Sequence, residues 1–212
     1  MKLERAVIRT EVRAAGGEGE GQRVIGLGVV YNKWEELWPG YRERILPGAV
    51  KFAPEVKSYF NHDPNQVLST TESDPPLEIR ETNEGIEYNS PIPPTSYGRD
   101  LAVNLERQNV KGSSFTFMVP PGGDKRWEDQ DGVFHREISE LILYEIGPVT
   151  DPAFVSTTAS VRSAREAQIE EWRRAQKEQQ RSEPDSKPEL DEKDMAVDAR
   201  RLVRHGELKA TL

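Results

Sequence analysis

The chain has 212 residues, enough for one domain with a sizeable core plus an appendage. A formal net charge of −8 argues against broad, sequence-independent binding to nucleic acid or anionic lipid. Without cysteine there are no disulfides, thiol nucleophiles or thiolate metal sites, and the three histidines, His62, His135 and His205, are too few for a His-rich zinc centre.

No long apolar run follows Met1-Lys2-Leu3-Glu4-Arg5, so no signal peptide is expected. No stretch approaches the roughly 20 apolar residues of a membrane span. Residues 6–12 read as a strand, 16–21 as a flexible turn and 24–31 as a more buried strand, which predicts a hairpin. Residues 31–41, with Trp34, Trp38 and a Pro-Gly step, read as an ordered loop. Pro47-Gly48-Ala49-Val50-Lys51-Phe52 could start a short helix. Residues 77–82 and 85–89 flank Asn83-Glu84 and predict another hairpin. Helix and strand compete over 97–109; helix is favoured because Tyr97, Leu101 and Leu105 share a face. Residues 113–119, 134–138 and 141–146 read as strands. The predicted fold is α+β: a mostly antiparallel sheet, closed as a barrel or packed as a sandwich, with surrounding helices.

Composition shifts near residue 160. Residues 1–160 are read as the folded domain and 161–212 as a charged tail. Within the tail, 163–181 lacks Gly and Pro and should be a solvated helix. Residues 182–194 read as a disordered linker, and 195–205 as a second short helix.

Three segments hold residues that together suit nucleophilic catalysis. A serine hydroxyl needs a neighbouring imidazole to take its proton, and that imidazole needs a third group to fix its tautomer. His62 follows aromatic Tyr59 and Phe60 and precedes the Asp63-Pro64 turn signal. That puts an imidazole at the edge of a structured element; the bland reading is a loop histidine bonded to Asp63. Ser114 lies in Gly112-Ser113-Ser114-Phe115-Thr116-Phe117. Strand alternation puts Phe115 and Phe117 on one face and Ser114 and Thr116 on the other, so Ser114 should point to a cleft or solvent. Ser113 is a rival nucleophile that falls on the Phe face. Glu145 sits among Leu141, Leu143, Tyr144, Ile146 and Val149. A carboxylate in so apolar a segment costs free energy unless a partner such as an imidazolium stabilises it. Glu140 and Asp63 are competing carboxylates, His135 is a substitute base, and His205 is a poor one. An ordinary strand serine and a solvent-facing strand-edge glutamate remain the plain alternatives.

The motifs resemble those of the tailed-phage prohead (capsid maturation) proteases, a group related in fold to the herpesvirus assemblins. Glu43-Arg44-Ile45-Leu46-Pro47-Gly48-Ala49-Val50 resembles the family's E-x-I-x-P-G-A-F stretch, and Phe60-Asn61-His62-Asp63 its x-N-H-D base motif. Gly112 to Phe117 is similar to G-x-S-F-G-F, and Leu143-Tyr144-Glu145-Ile146-Gly147-Pro148-Val149-Thr150-Asp151-Pro152-Ala153 to L-x-E-V-S-x-V-T-x-P-A. The match runs in order from about residue 5 to 160. Thr116 replaces the usual glycine and adds bulk beside Ser114; Gly147 replaces the usual serine.

The resemblance implies a serine endopeptidase with Ser114 as nucleophile, His62 as base and Glu145 in the third role, where assemblins place a second histidine. It implies capsid protein and scaffold segments as substrates, self-processing, a homodimer, and a location in the host cytoplasm, packaged in the procapsid. No cofactor or metal, no direct nucleic-acid role and no membrane are expected. The alternative reading is a catalytically silent assembly or scaffolding factor, motivated by Thr116 and the polar tail. An esterase-like hydrolase is weaker, because no Gly-x-Ser-x-Gly elbow surrounds Ser114.

Overall fold

Alternating buried and exposed side chains generate most of this structure as strands. The computed structural model describes residues 3–8, 12–16, 21–150 and 159–182; the side chains of 7, 8, 159–165, 180 and 182 fall outside that description. The strands are β1 (Glu4–Ile8), β2 (Val12–Ala15), β3 (Arg23–Val30), β4 (Glu35–Trp38), β5 (Tyr41–Ile45), β6 (Val50–Tyr59), β7 (Val67–Thr70), β8 (Glu78–Glu81) and β9 (Gly85–Pro91). After helix α1 (Ser96–Glu106) come β10 (Gly112–Met118), β11 (Asp124–Glu128), β12 (Phe134–Ile138) and β13 (Leu141–Val149), then helix α2 (Ala159–Ser182).

Three sheets result, in the orders β1-β10-β13-β6-β7, β11-β12-β5-β4 and β2-β3-β9-β8. None closes into a barrel among the described residues, which corrects the barrel alternative; the α+β, strand-dominated character stands. Pairing is mostly antiparallel, with β12–β5 and β13–β6 parallel. The core is built on β10 and β13: Phe115, Phe117, Leu141, Leu143 and Ile146 are inaccessible to solvent, as are Ile138, Leu101 and Ile86 from neighbouring elements. Burying each large apolar side chain is worth about 1.5–3 kcal/mol.

Several local expectations change. The 6–12 strand is two strands serving different sheets: β2 forms the expected hairpin with β3, while β1 pairs with β10. The 31–41 loop contains β4, which turns through Pro39-Gly40 into β5. Residues 47–52 do not start a helix. Val50 begins a ten-residue strand whose Val50, Lys51 and Phe52 pair with Leu141, Ile142 and Leu143 of β13. Sheet pairing there satisfies the backbone groups that an isolated helical turn would leave open. Helix α1 forms as expected, capped by Thr95, whose Oγ1 accepts the Gly98 N–H at 3.2 Å, and buries Leu101 and Leu105.

The buried guanidinium of Arg136, on β12, is ringed by three carboxylates. It reaches Asp124 Oδ2 at 2.5 Å, Glu43 Oε2 at 3.0 Å, and both oxygens of Glu4 at 2.6 and 3.0 Å. Stripping such a cation of its partners costs about 3–5 kcal/mol. Burial raises the Asp124 carboxyl, but Arg136 and Arg126 outweigh it and hold the group below its ordinary range. The chain divides into two compact units, residues 1–169 and 170–212. Ser182, expected to open the linker, ends α2; residues 183–194, the short helix expected at 195–205 and His205 lie outside the described residues.

Candidate active site

The central sheet brings three distant side chains into contact. His62 Nδ1 lies 2.8 Å from Glu145 Oε1, and His62 Nε2 lies 2.6 Å from Ser114 Oγ. An ionised carboxylate can only accept, so opposite such a group the ring would donate from Nδ1 and turn its Nε2 lone pair to the serine. Glu145 stands on β13, directly beside β10, which carries Ser114. His62 comes from the turn between β6 and β7, on the other side of β13. All three are shielded: the side chains of His62 and Glu145 are 9% and 8% exposed, and Ser114 is fully buried. Ser114 therefore does not face a cleft or solvent; besides His62, its hydroxyl meets the Ala6 carbonyl of β1, the strand paired along the edge of β10, at 2.8 Å.

Thr116 has a different role from the one its bulk suggested. It lies opposite Glu145 in the β10–β13 register, and its hydroxyl donates to Glu145 Oε2 at 2.6 Å. Both carboxylate oxygens are thus satisfied, one by imidazole and one by threonine, which offsets the cost of burying the charge. A glycine at 116 would supply no donor.

The turn that carries His62 is held in an unusual shape. Asn61 and His62 both have positive φ, 54° and 59°. For non-glycine residues this left-handed conformation costs about 1–2 kcal/mol each, so surrounding contacts must hold it. Asn61 supplies them. Its N–H donates to the Pro148 carbonyl at 3.1 Å, and its Oδ1 accepts the Thr150 N–H at 2.9 Å and the Thr150 hydroxyl at 3.2 Å. These bonds anchor the imidazole to the end of β13. They also engage the Thr150 N–H.

Gly147 permits the close approach of β6. A β-carbon at 147 would stand 2.3 Å from the Tyr59 carbonyl oxygen, well inside van der Waals contact. Glycine therefore lets the strand leading to His62 lie against the strand bearing Glu145.

The competing residues fall elsewhere. Ser113 faces Tyr88, with oxygen atoms 3.1 Å apart, and burial pushes the Tyr88 phenol upward. Asp63 accepts the Asn65 N–H at 2.9 Å and the Gln66 amide at 3.0 Å, which hold its carboxyl below the ordinary range. Glu140 is exposed in the turn before β13. His135 is on β12, bonded through Nε2 to Asp129 at 2.8 Å and stacked on Trp127. Thr116, Asn61 and Gly147 are the site residues that sequence reasoning did not assign. Thr116 was placed on the Ser114 face, but only strand register shows that this face meets Glu145.

Among the described residues, no cluster of three or more acidic or histidine side chains could hold a metal ion, and no helix is long and apolar enough to cross a membrane. No curated protein matches the chain. Among solved structures, the capsid assembly protease of bacteriophage T4 aligns at 13% identity over 70% of this chain and 99% of its own, with a TM-score of 0.36, too slight a likeness to bear on the fold. A family model described as caudovirus prohead serine protease matches residues 9–173. The chain belongs to the caudovirus prohead serine protease family.

Proposed function

We propose that this chain is a prohead maturation endopeptidase working through Ser114, His62 and Glu145. The observation that carries the reading is the continuous chain of short contacts from Ser114 Oγ through the imidazole to a buried carboxylate. Ser114 Oγ attacks a peptide carbonyl carbon while its proton passes to His62 Nε2. His62 then gives that proton to the leaving amine as the C–N bond breaks, leaving an ester on Ser114. Water attacks the ester and gives a proton to His62; the serine oxygen recovers it as the acyl group departs. Glu145 orients the ring and stabilises its cationic form. Thr116 holds Glu145 in place.

Family membership supports scaffold segments and capsid protein as substrates, with the chain itself as a further one. The setting is the host cytoplasm and then the procapsid interior. We assign hydrolysis to residues 1–160 and treat 161–212 as an appendage that docks on scaffold or capsid protein, with the active form a homodimer. The silent-factor reading loses its motive at Thr116, since that side chain completes the carboxylate's hydrogen bonds.

Intact masses of the chain and of co-expressed capsid protein test this directly. Ser114→Ala and His62→Ala should fold normally and leave both masses unprocessed, a loss of at least about 10⁴-fold in cleavage rate. Full processing by Ser114→Ala would discard the assignment.

A further inference from the structure

The nucleophile of this chain is covered by the chain's own N-terminal strand. β1 runs antiparallel to β10, with Val7 opposite Ser114 and Ala6 opposite Phe115. Ser114 Oγ lies 2.8 Å from the Ala6 carbonyl oxygen and 2.6 Å from His62 Nε2. The hydroxyl has one proton and faces two acceptors, so the bond to Ala6 competes with its transfer to the base. Among the described residues, β1 is the outermost strand of its sheet. Without it, the edge of β10 would present unpaired backbone groups beside Ser114, a surface that accepts an extended peptide by strand addition.

A second contact shows what else that peptide would need. Two residues before Ala6, Glu4 makes a two-point contact with Arg136 at 2.6 and 3.0 Å. Glu43 and Asp124 fix the guanidinium from other sides. With Glu4 withdrawn, two of its donors would point at the vacated place, in the fork geometry that suits a carboxylate. A cavity of about 240 Å³, lined by Glu4, Pro120, Gly122, Asp124, Arg126 and Arg136 among others, adjoins the contact. Beneath Ala6 a smaller, about 40 Å³ hollow is bordered by Val30, Leu37, Ile45 and Phe115.

We propose that β1 is an intramolecular occupant of the substrate channel. The channel takes an extended peptide along the edge of β10, and Arg136 binds an acidic side chain placed two residues before the residue whose carbonyl faces Ser114. The proposal deepens the peptidase reading and rests on it for the word substrate. A small or modest apolar side chain fits the position of Ala6. Because β1 is tethered, it competes at an effective concentration on the order of millimolar, so a free peptide at micromolar concentration loses to it. The resting enzyme is self-blocked, and substrates enter when β1 is drawn away or when they are presented at high local concentration.

Arg136→Gln would leave Glu43 and Asp124 buried beside a lost cation, so the test varies Glu4 and the peptide instead. The probe is a fluorescein-labelled peptide of residues 3–8 of this chain, and the same peptide with glutamine in place of its glutamate. Both are titrated into the full chain carrying Ser114→Ala, with and without Glu4→Gln. The glutamate peptide should bind the Glu4→Gln chain about tenfold more tightly than the chain that keeps Glu4, and about tenfold more tightly than the glutamine peptide does. Saturating peptide should also release the amides of residues 4–8 to hydrogen exchange. Equal affinity for the two peptides, or binding that leaves those amides protected, would overturn the proposal. Neither arm needs hydrolysis. Failure of the peptidase reading is seen separately, as undiminished processing by Ser114→Ala.

Discussion

At the scale of single residues, the site depends on where one proton sits. On the proposed mechanism, Glu145 accepts from His62 Nδ1, 2.8 Å away, and so leaves Nε2 free to act as base. Glu145→Gln would present an amide able to donate and should favour the wrong tautomer, lowering kcat by about 10³- to 10⁴-fold with little change in KM. Glu140→Gln should leave both constants unchanged, since Glu140 is exposed in a turn. Thr116→Val keeps the shape but removes the donor to Oε2; it should reduce kcat roughly tenfold, and Thr116→Ser should restore most of the loss. Glu145 could be singled out from the sequence because it interrupts an apolar run, and His62 and Ser114 because their motifs resemble the family's base and nucleophile segments. Thr116 could not be assigned its role, because its partner is 29 positions away and is set by strand register.

At the scale of elements, the fit of β6 against β13 decides where the base stands. Gly147→Ala would drive a β-carbon into the Tyr59 carbonyl, so one strand must shift. The variant should unfold more easily by about 1–3 kcal/mol, read from chemical denaturation, and should lose activity beyond what that destabilisation explains. The strands with plain alternation, such as β12 and the β8–β9 hairpin, were legible from pattern alone. The strand over 50–59 was not, because Pro47-Gly48 followed by Ala49 and Val50 also suits a helix start. Short polar strands left still less trace: β11, Asp124–Glu128, has four charged residues among five and is held by pairing with β12. The separation of β1 from β2 was equally hidden, since the two occupy one run of strand-forming residues and part only because each finds a different neighbour.

At the scale of the whole molecule, the Arg136 cluster ties together the N-terminal strand, β5, β11 and β12. The depressed Asp124 carboxyl links this cluster to pH. A carboxylate whose folded value lies below its unfolded one, about 3.9, contributes its full stability above that pH and loses it as pH falls through the folded value. Asp124→Asn should therefore lower stability most near neutrality, with the difference from the parent shrinking as acid protonates the native carboxylate. Thermal melts between pH 7 and about 3 measure it. Nothing in the sequence marked this network, whose members lie as far as 132 positions apart.

That long reach has a bearing on timing. Strand β13 lies between the strand that carries Ser114 and the one that leads to His62, and among the described residues it is the last strand to be made. Until residues 141–149 leave the ribosome, hydroxyl and imidazole have no shared sheet, and the Glu145 carboxylate cannot reach the ring. On the proposed mechanism, the capacity to cut would arrive only once β13 has joined the sheet, late in the making of the domain.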